Sequence, residues 1–328
     1  MDQDRGWVDI HAHFSPPTTA DQRDEQWRGL RAARFVAPEP YHWTPEAALA
    51  SMDRLGIAVQ LLSPVPLPAD DGELRAWNDY GAHLVARHPG RFGLLAGLPT
   101  HDPDAALAEI ERGDRETHPD GYLLVTRPRG VPLSDPRLAP VWAELNRRHA
   151  VLFVHPSPEI APPLGQPAAL VEVAFETTRA ITDLLYTGFF HRYPDLVVVL
   201  AHCGGALPAL SGRLQLLGAE PWMPNPEGLS PAEIRADLAR LYLDTAATGA
   251  DSHLAAAVTM VPRDHFVYGG DAGVPCSNDD SLGRNITALR ASSVLAPREV
   301  EALGRRGFDL FPGVAARYEQ LLATALNP

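Results

Sequence analysis

The chain has 328 residues, 45% apolar and 21% charged, which suits one large α/β barrel or two ordinary domains of a globular enzyme. Its net charge of −13 disfavours nucleic acid or an anionic membrane as a partner, no run of about 18 apolar residues marks a membrane span, and two cysteines, Cys203 and Cys276, make no disulfide framework. There is no lysine: all 28 basic residues are arginine, which excludes a Schiff-base lysine, a Walker A loop and a carbamylated lysine bridging two metals.

The acidic N-terminus, MDQDRGW, leads straight into an apolar run and does not read as a signal peptide, so a cytoplasmic protein is the default expectation. The first predicted strand, Val8–His11, carries the motif VDIHAH. Two residues apart on a strand, His11 and His13 share a face and can clamp one metal ion. The polar and aromatic stretch Ser15–Trp43 is expected to be irregular, a lid or entrance loop over the barrel rim. A helix over Pro45–Leu55 follows from Thr44 as N-cap and Pro45 at the first helical position.

Strands are predicted at Ala58–Leu62, Phe92–Gly97 and Tyr122–Val125, and helices at Glu73–Arg87, Asp104–Glu116 and Pro136–His149. The strand Val151–His155 ends on a histidine before Pro156, giving a third imidazole. A long helix over Ala168–Tyr193 is stopped by Pro194. The strand Val197–His202 ends on a fourth histidine beside Cys203-Gly204-Gly205. Helices at Ala206–Gly218, Pro231–Leu241 and Asp251–Met260 frame a rim loop, Glu220–Ser230, and a strand, Leu241–Asp244. A last strand, Phe266–Gly269, leads through Gly270 to Asp271. Helices at Ser281–Leu289 and Pro297–Gly304 and a helical tail after Gly307 complete the chain.

Eight short apolar strands alternating with helices over about 270 residues predict a (β/α)8 TIM barrel, read as a single domain over 1–328 with 15–43 a rim insertion and 307–328 a helical tail. On that fold the strand ends meet at one rim. His11, His13, His155 and Asp271 then form a site for one divalent metal. His202 is left as base or orienter for the metal-bound water, and Asp271 can also exchange a proton with substrate. Asp244 closes its strand and can orient a histidine or bond the substrate. Phe14, Phe189 and Trp222, with Trp43, are the aromatic candidates for contact with substrate, core packing being the other reading. Arg213 reads by default as a solvated arginine.

The motifs VDIHAHF, LFVHP, FETTRAITDLLYTGFFHRYPDLVVVLAHCGGALPALSGR and YGGD stand together in an order that resembles the amidohydrolase superfamily, in its branch of metal-dependent non-oxidative decarboxylases. The FETTRAITDLL segment and the helix carrying Trp142–Leu145 are most similar to the 6-methylsalicylate type. The resemblance implies one zinc, or alternatively manganese, on His11, His13, His155 and Asp271, with His202 activating its water. It also implies that Arg213 reaches a neighbouring subunit's site to grip a substrate carboxylate, hence a homodimer. The activity implied is removal of CO2 from a small aromatic or unsaturated carboxylic acid, the carboxylate-bearing carbon being protonated first. A hydrolase or hydratase acting on a lactone, amide or enoate is the alternative on the same residues. A non-catalytic barrel would have lost a ligand, and none is lost. Cys203 and the Ser15–Trp43 loop depart from the family pattern, and both touch the pocket that sets substrate identity.

Overall fold

The computed structural model describes residues 6–36, 41–157, 165–248 and 250–326. Seven strands run in chain order and all pair in parallel: β1 Trp7–Phe14, β2 Ile57–Pro64, β3 Phe92–Gly97, β4 Gly121–Val125, β5 Val151–His155, β6 Val197–Leu200 and β7 Tyr242–Leu243. Their residues are almost all buried, as expected of strands covered on both faces. The predicted eighth strand is not a regular one. Residues 266–272 instead bridge both sheet edges, Phe266 to Leu243 and Ala272 to Ala12. Val267 N–H donates to Leu243 O at 3.0 Å and Ile10 N–H to Tyr268 O at 3.1 Å, so the curled sheet closes as a TIM-type ring. Asp271, at a φ of 60° just after Gly269 and Gly270, takes this segment out of extended geometry.

Inside the ring, Val8, Ile10, Leu95, Leu123, Phe153 and Val199 form one apolar cluster. Phe311 and Val314 stop its lower end: a Cβ on Gly121 would lie 3.1 Å from the Phe311 ring and one on Gly93 3.1 Å from Val314. Both glycines stand at or near strand starts, so the C-terminal segment seals the end opposite the histidines. Outside, a second cluster packs the helices onto the sheet. Each fully buried large side chain there contributes about 1.5–3 kcal/mol.

Several elements differ from expectation for local reasons. The long helix covers Ala168–Tyr186 and breaks at Gly188 (φ 70°), after which Phe189–Arg192 forms a separate turn. Helix Pro103–Arg112 ends in a wider turn over Gly113–Thr117, and Pro136–Leu138 is a 3-10 turn ahead of helix Ala139–Arg147. Ser15–Trp43 is not wholly irregular: Ala20–Ala32 is a helix, opened by a reciprocal Thr19–Gln22 capping box. Residues 37–40 of that stretch lie outside the described residues. The next-to-last helix continues past Gly304 to Leu310, and Pro312–Leu326 forms the tail.

Candidate metal centre and active site

β1 makes the site through an irregularity. Between Asp9 and Ala12 it advances three residues while β2 advances two, from Gln60 to Leu62. This bulge is held by the Asp9 carboxylate, which accepts the N–H of His11 at 3.0 Å and that of Gly270 at 2.8 Å. Ile10 and His11 therefore both face the interior: Ile10 joins the inner cluster, and the His11 ring packs edge-on against Phe153, centroids 4.8 Å apart. His13 follows on the same side and Phe14 turns outward.

The tautomers of three imidazoles are set by their outer partners. His11 donates from Nδ1 to Asp244 Oδ2 at 2.6 Å, and His155 donates from Nδ1 to the Pro156 carbonyl at 2.8 Å. Ser63 spends its one hydroxyl hydrogen on the Ala12 carbonyl, so its oxygen accepts from His13 Nδ1 at 2.9 Å. With the imidazoles neutral, each Nε2 then offers a lone pair to the space they share. His11 Nε2 and His13 Nε2 stand 3.0 Å apart, with Asp271 Oδ1 at 3.3 and 3.2 Å from them. His155 Nε2 is buried with no hydrogen-bond partner among the described residues.

Lone pairs and a carboxylate oxygen facing one another in a dry site repel, and leaving them uncompensated costs several kcal/mol. A cation at their centre removes the conflict. The four ligand atoms of His11, His13, His155 and Asp271 lie within 4.8 Å of one another, so the residues present fit one divalent ion.

Protonation follows the same field. Burial alone would lower the pKa of His11, but the charges of Asp244 and Asp271 overcome it and raise it to about 10. Burial lowers His13 to about 4 and drives His155 well below the usual imidazole range, helped by the neighbouring imidazoles. Asp271, although buried, is held well below the carboxylate range by His11 and by hydrogen bonds from the histidines around it. Without a metal, a single proton on His11 plays the cation's part.

His202 is not on a strand. β6 stops at Leu200, and His202 and Cys203 both adopt left-handed backbone, φ 53° and 54°. Such residues cost about 1–2 kcal/mol each. The turn is held by Asp244, whose Oδ1 accepts the N–H of Cys203 and of Ala246, each at 3.1 Å. Gly205 lets it lie against helix Ala168–Tyr186, where a Cβ would fall 2.1 Å from the Ala174 carbonyl. His202 Nε2 thereby reaches Asp271 Oδ2 at 3.5 Å. Asp271 is itself left-handed, so two of the left-handed non-glycine positions among the described residues fall on the two groups best placed to move a proton.

Asp244 thus touches both His11 and the His202 turn. Asp244→Asn would keep its shape but place an amide N–H against the His11 N–H, turning that ring toward the wrong tautomer. The expected result is a 10–100-fold loss of metal affinity in chelator competition, with the fold unchanged; wild-type affinity would show that Asp244 does not orient His11.

Above the cluster lies a cavity of about 430 Å³ whose floor includes His155, His202 and Asp271. Its walls are mainly apolar, with Val65, Leu67, Val125, Val173, Val274 and Leu282 among them, and Phe35 contributes from the Ser15–Trp43 stretch. Among the described residues, no arginine lines it.

The sequence-predicted aromatic contacts are elsewhere. Phe14 is buried against Trp43, Trp77 and Tyr80 on the outer side of the sheet, because it alternates with the inward His13. Phe189 packs on Trp142, Phe190 and Tyr193 outside the cavity. Trp222 is 66% exposed in the loop after helix Leu207–Leu217. Arg213 is exposed on that helix. Ser63, Phe35 and Asn285 escaped notice, although Ser63 ends an apolar strand just as the ligand histidines do.

A parallel α/β ring whose strand ends bring three imidazoles and a carboxylate under an apolar cavity defines a barrel enzyme with a candidate divalent-metal centre. The chain belongs to the amidohydrolase family, whose model matches residues 8–306, and to its decarboxylase branch. It is 31% identical to decarboxylase yanB of Aspergillus niger, over 93% of this chain and 87% of the relative. It is likewise 31% identical to 6-methylsalicylic acid decarboxylase acuB of Aspergillus aculeatus, over 93% and 96%. A dihydroxybenzoic acid decarboxylase of Polaromonas, solved with bound manganese and 2-nitroresorcinol, shares the fold with a TM-score of 0.73 at 22% identity, over 94% of this chain and 97% of that one.

Proposed function

We propose that the protein is a metal-dependent carboxy-lyase that releases CO2 from a small aromatic carboxylic acid of the 6-methylsalicylate type. The observation that carries the mechanism is the division of labour within Asp271. Its Oδ1 faces the His11 and His13 nitrogens, while its Oδ2 faces His202. One carboxylate therefore belongs both to the metal centre and to a proton path.

A divalent ion held by His11, His13, His155 and Asp271 supplies positive charge for the substrate's oxygens. Three imidazoles and one carboxylate suit zinc, and manganese in the Polaromonas relative makes it the second choice. The apolar walls exclude water and orient the ring. Asp271 and His202 hold a proton between Oδ2 and Nε2 and deliver it to the ring carbon that bears the carboxylate. The C–C bond then breaks, its electron pair returns to the ring, CO2 departs and aromaticity is restored. Protonation first avoids a bare carbanion. A hydrolase or hydratase on the same residues is not favoured by the relatives, which are named as decarboxylases.

We further infer a single barrel domain with 15–43 as a rim insertion, supported by Phe35 in the cavity wall, and with 307–328 as its tail. A homodimer is part of the reading. Arg213 is exposed without a hydrogen bond or ion pair among the described residues, and the cavity needs a guanidinium from elsewhere to grip a carboxylate. We propose the cytoplasm as its compartment, where the free thiols Cys203 and Cys276 stay reduced.

The test is to incubate zinc-loaded protein with salicylate-, resorcylate- and orsellinate-type acids and to count CO2 against ring product. Equal amounts of CO2 and decarboxylated ring are expected from at least one acid. Product formed with uptake of water and no CO2 would overturn the reading.

A further inference from the structure

Asn285 holds an acceptor that the protein leaves unused. It lies on helix Asp279–Arg290, lines the cavity that contains Asp271, and is 8% exposed. Its Nδ2 donates to the Thr245 carbonyl at 3.0 Å. Turning the amide over would set oxygen against oxygen there, so its orientation is determined. The remaining atom, Oδ1, is buried with no hydrogen-bond partner among the described residues. A buried carbonyl with no donor is destabilising unless something else supplies one.

His155 and His202 on the cavity floor also carry a buried nitrogen with no hydrogen-bond partner among the described residues, but the other polar side chains of the wall do not share this condition. Ser157, Cys276, Ser277 and Ser281 are all more exposed. Ser281 is also committed to capping its helix, accepting from Asn278 N and donating to Asn278 O. Asn285 is separate from the metal-ligand set and does no work in the proton path.

We propose that Asn285 is a specificity-determining residue: its Oδ1 accepts a hydrogen bond from a second ring hydroxyl, beyond the one ortho to the carboxylate, so the cavity favours an aromatic acid carrying that additional O–H. This rests on the decarboxylase reading and narrows it. A rigidly held acceptor rewards the hydroxylated ring and penalises an analogue that cannot donate, because the acceptor then stays buried and unpaired. A methoxy group in place of the hydroxyl fills similar space without a donor, and so isolates the hydrogen bond from the packing.

The experiment measures binding to the zinc-loaded protein by calorimetry. The probes are salicylate, its four ring-hydroxylated derivatives that carry a second hydroxyl at position 3, 4, 5 or 6, and the methoxy counterpart of each. At least one dihydroxy acid is expected to bind about tenfold tighter than both salicylate and its methoxy counterpart, the effect of one well-placed hydrogen bond. In Asn285→Leu that advantage disappears, while salicylate itself binds within about twofold of its wild-type affinity. An advantage that survives in the variant, or its absence from the wild type, overturns the proposal.

Should Asn285→Leu fail to fold, a crystal structure of the wild-type holoenzyme with the tightest acid decides instead. A ring hydroxyl about 3 Å from Oδ1 is expected, and an ordered water alone at that position overturns the proposal. If salicylates bind and lose CO2 but show no dependence on Asn285, the assignment of Asn285 falls and the decarboxylase reading stands. If no acid binds or reacts, both fall.

Discussion

Replacing Asp271 with asparagine is expected to lower kcat by about a thousandfold or more at saturating metal, the scale of a lost general acid–base group. Both oxygens of this side chain are engaged. Oδ1 faces His11 Nε2 and His13 Nε2 in the candidate metal centre, and Oδ2 faces His202 at 3.5 Å. An amide retains an oxygen for the first task, though with weaker binding, and cannot carry the proton for the second. Asparagine tolerates the left-handed backbone at this position (φ 60°), so the change adds little strain. Two causes of inactivity must be separated. Metal content at saturating zinc reports the ligand role, and His202→Asn probes the proton path without removing a ligand. The latter variant should retain stoichiometric metal and still lose most of its kcat. Turnover within tenfold of wild type in a fully loaded Asp271→Asn protein would remove Asp271 from the proton path.

The convergence of His11, His13, His155 and Asp271 was legible because each stands at or just past the end of a short apolar run, and such runs are what a doubly covered parallel strand requires. His155 and the His11–His13 pair needed only strand alternation to be placed. Phe14 could have been placed by the same rule: beside an inward His13 it must face outward, which is where Trp43 and Tyr80 meet it. His202 was recognised by type but not by geometry. Nothing in LVVVLAH marks the end of β6 at Leu200, because the left-handed turn is held by Asp244, far away in sequence. The eighth strand failed where Asp271 leaves extended geometry, although the two flanking bridges still close the ring. Helix Ala20–Ala32 has only Trp27 and Leu30 as large apolar residues and none of its residues is buried, so apolar periodicity could not reveal it; its Thr19–Gln22 capping box was the one readable signal. Asn285 and Phe35 acquire meaning only once the cavity exists.

Metal removal should abolish turnover, and the affinity of the stripped protein for metal should climb with pH. In the metal-free site His11 carries a proton up to about pH 10, held by Asp244 and Asp271 against the cost of burial, while His13 and His155 are already neutral at pH 7. The metal needs the same Nε2, so loading must expel that proton. Competition therefore eases by about a factor of ten for each pH unit gained between roughly pH 6 and 9. Calorimetry in buffers of differing ionisation enthalpy should count about one proton released per ion bound. Stability follows the same sign. The pKa of His11 is raised by folding, so its contribution is complete below the unfolded value near 6.5 and fades as pH rises toward about 10. The melting temperature of the metal-free protein should accordingly fall over that interval, while the loaded protein, whose His11 has exchanged proton for cation, should lack this decline. Chelator-resistant activity, or metal affinity flat across those pH values, would mean that the three imidazoles and Asp271 do not bind the ion on which the chemistry depends.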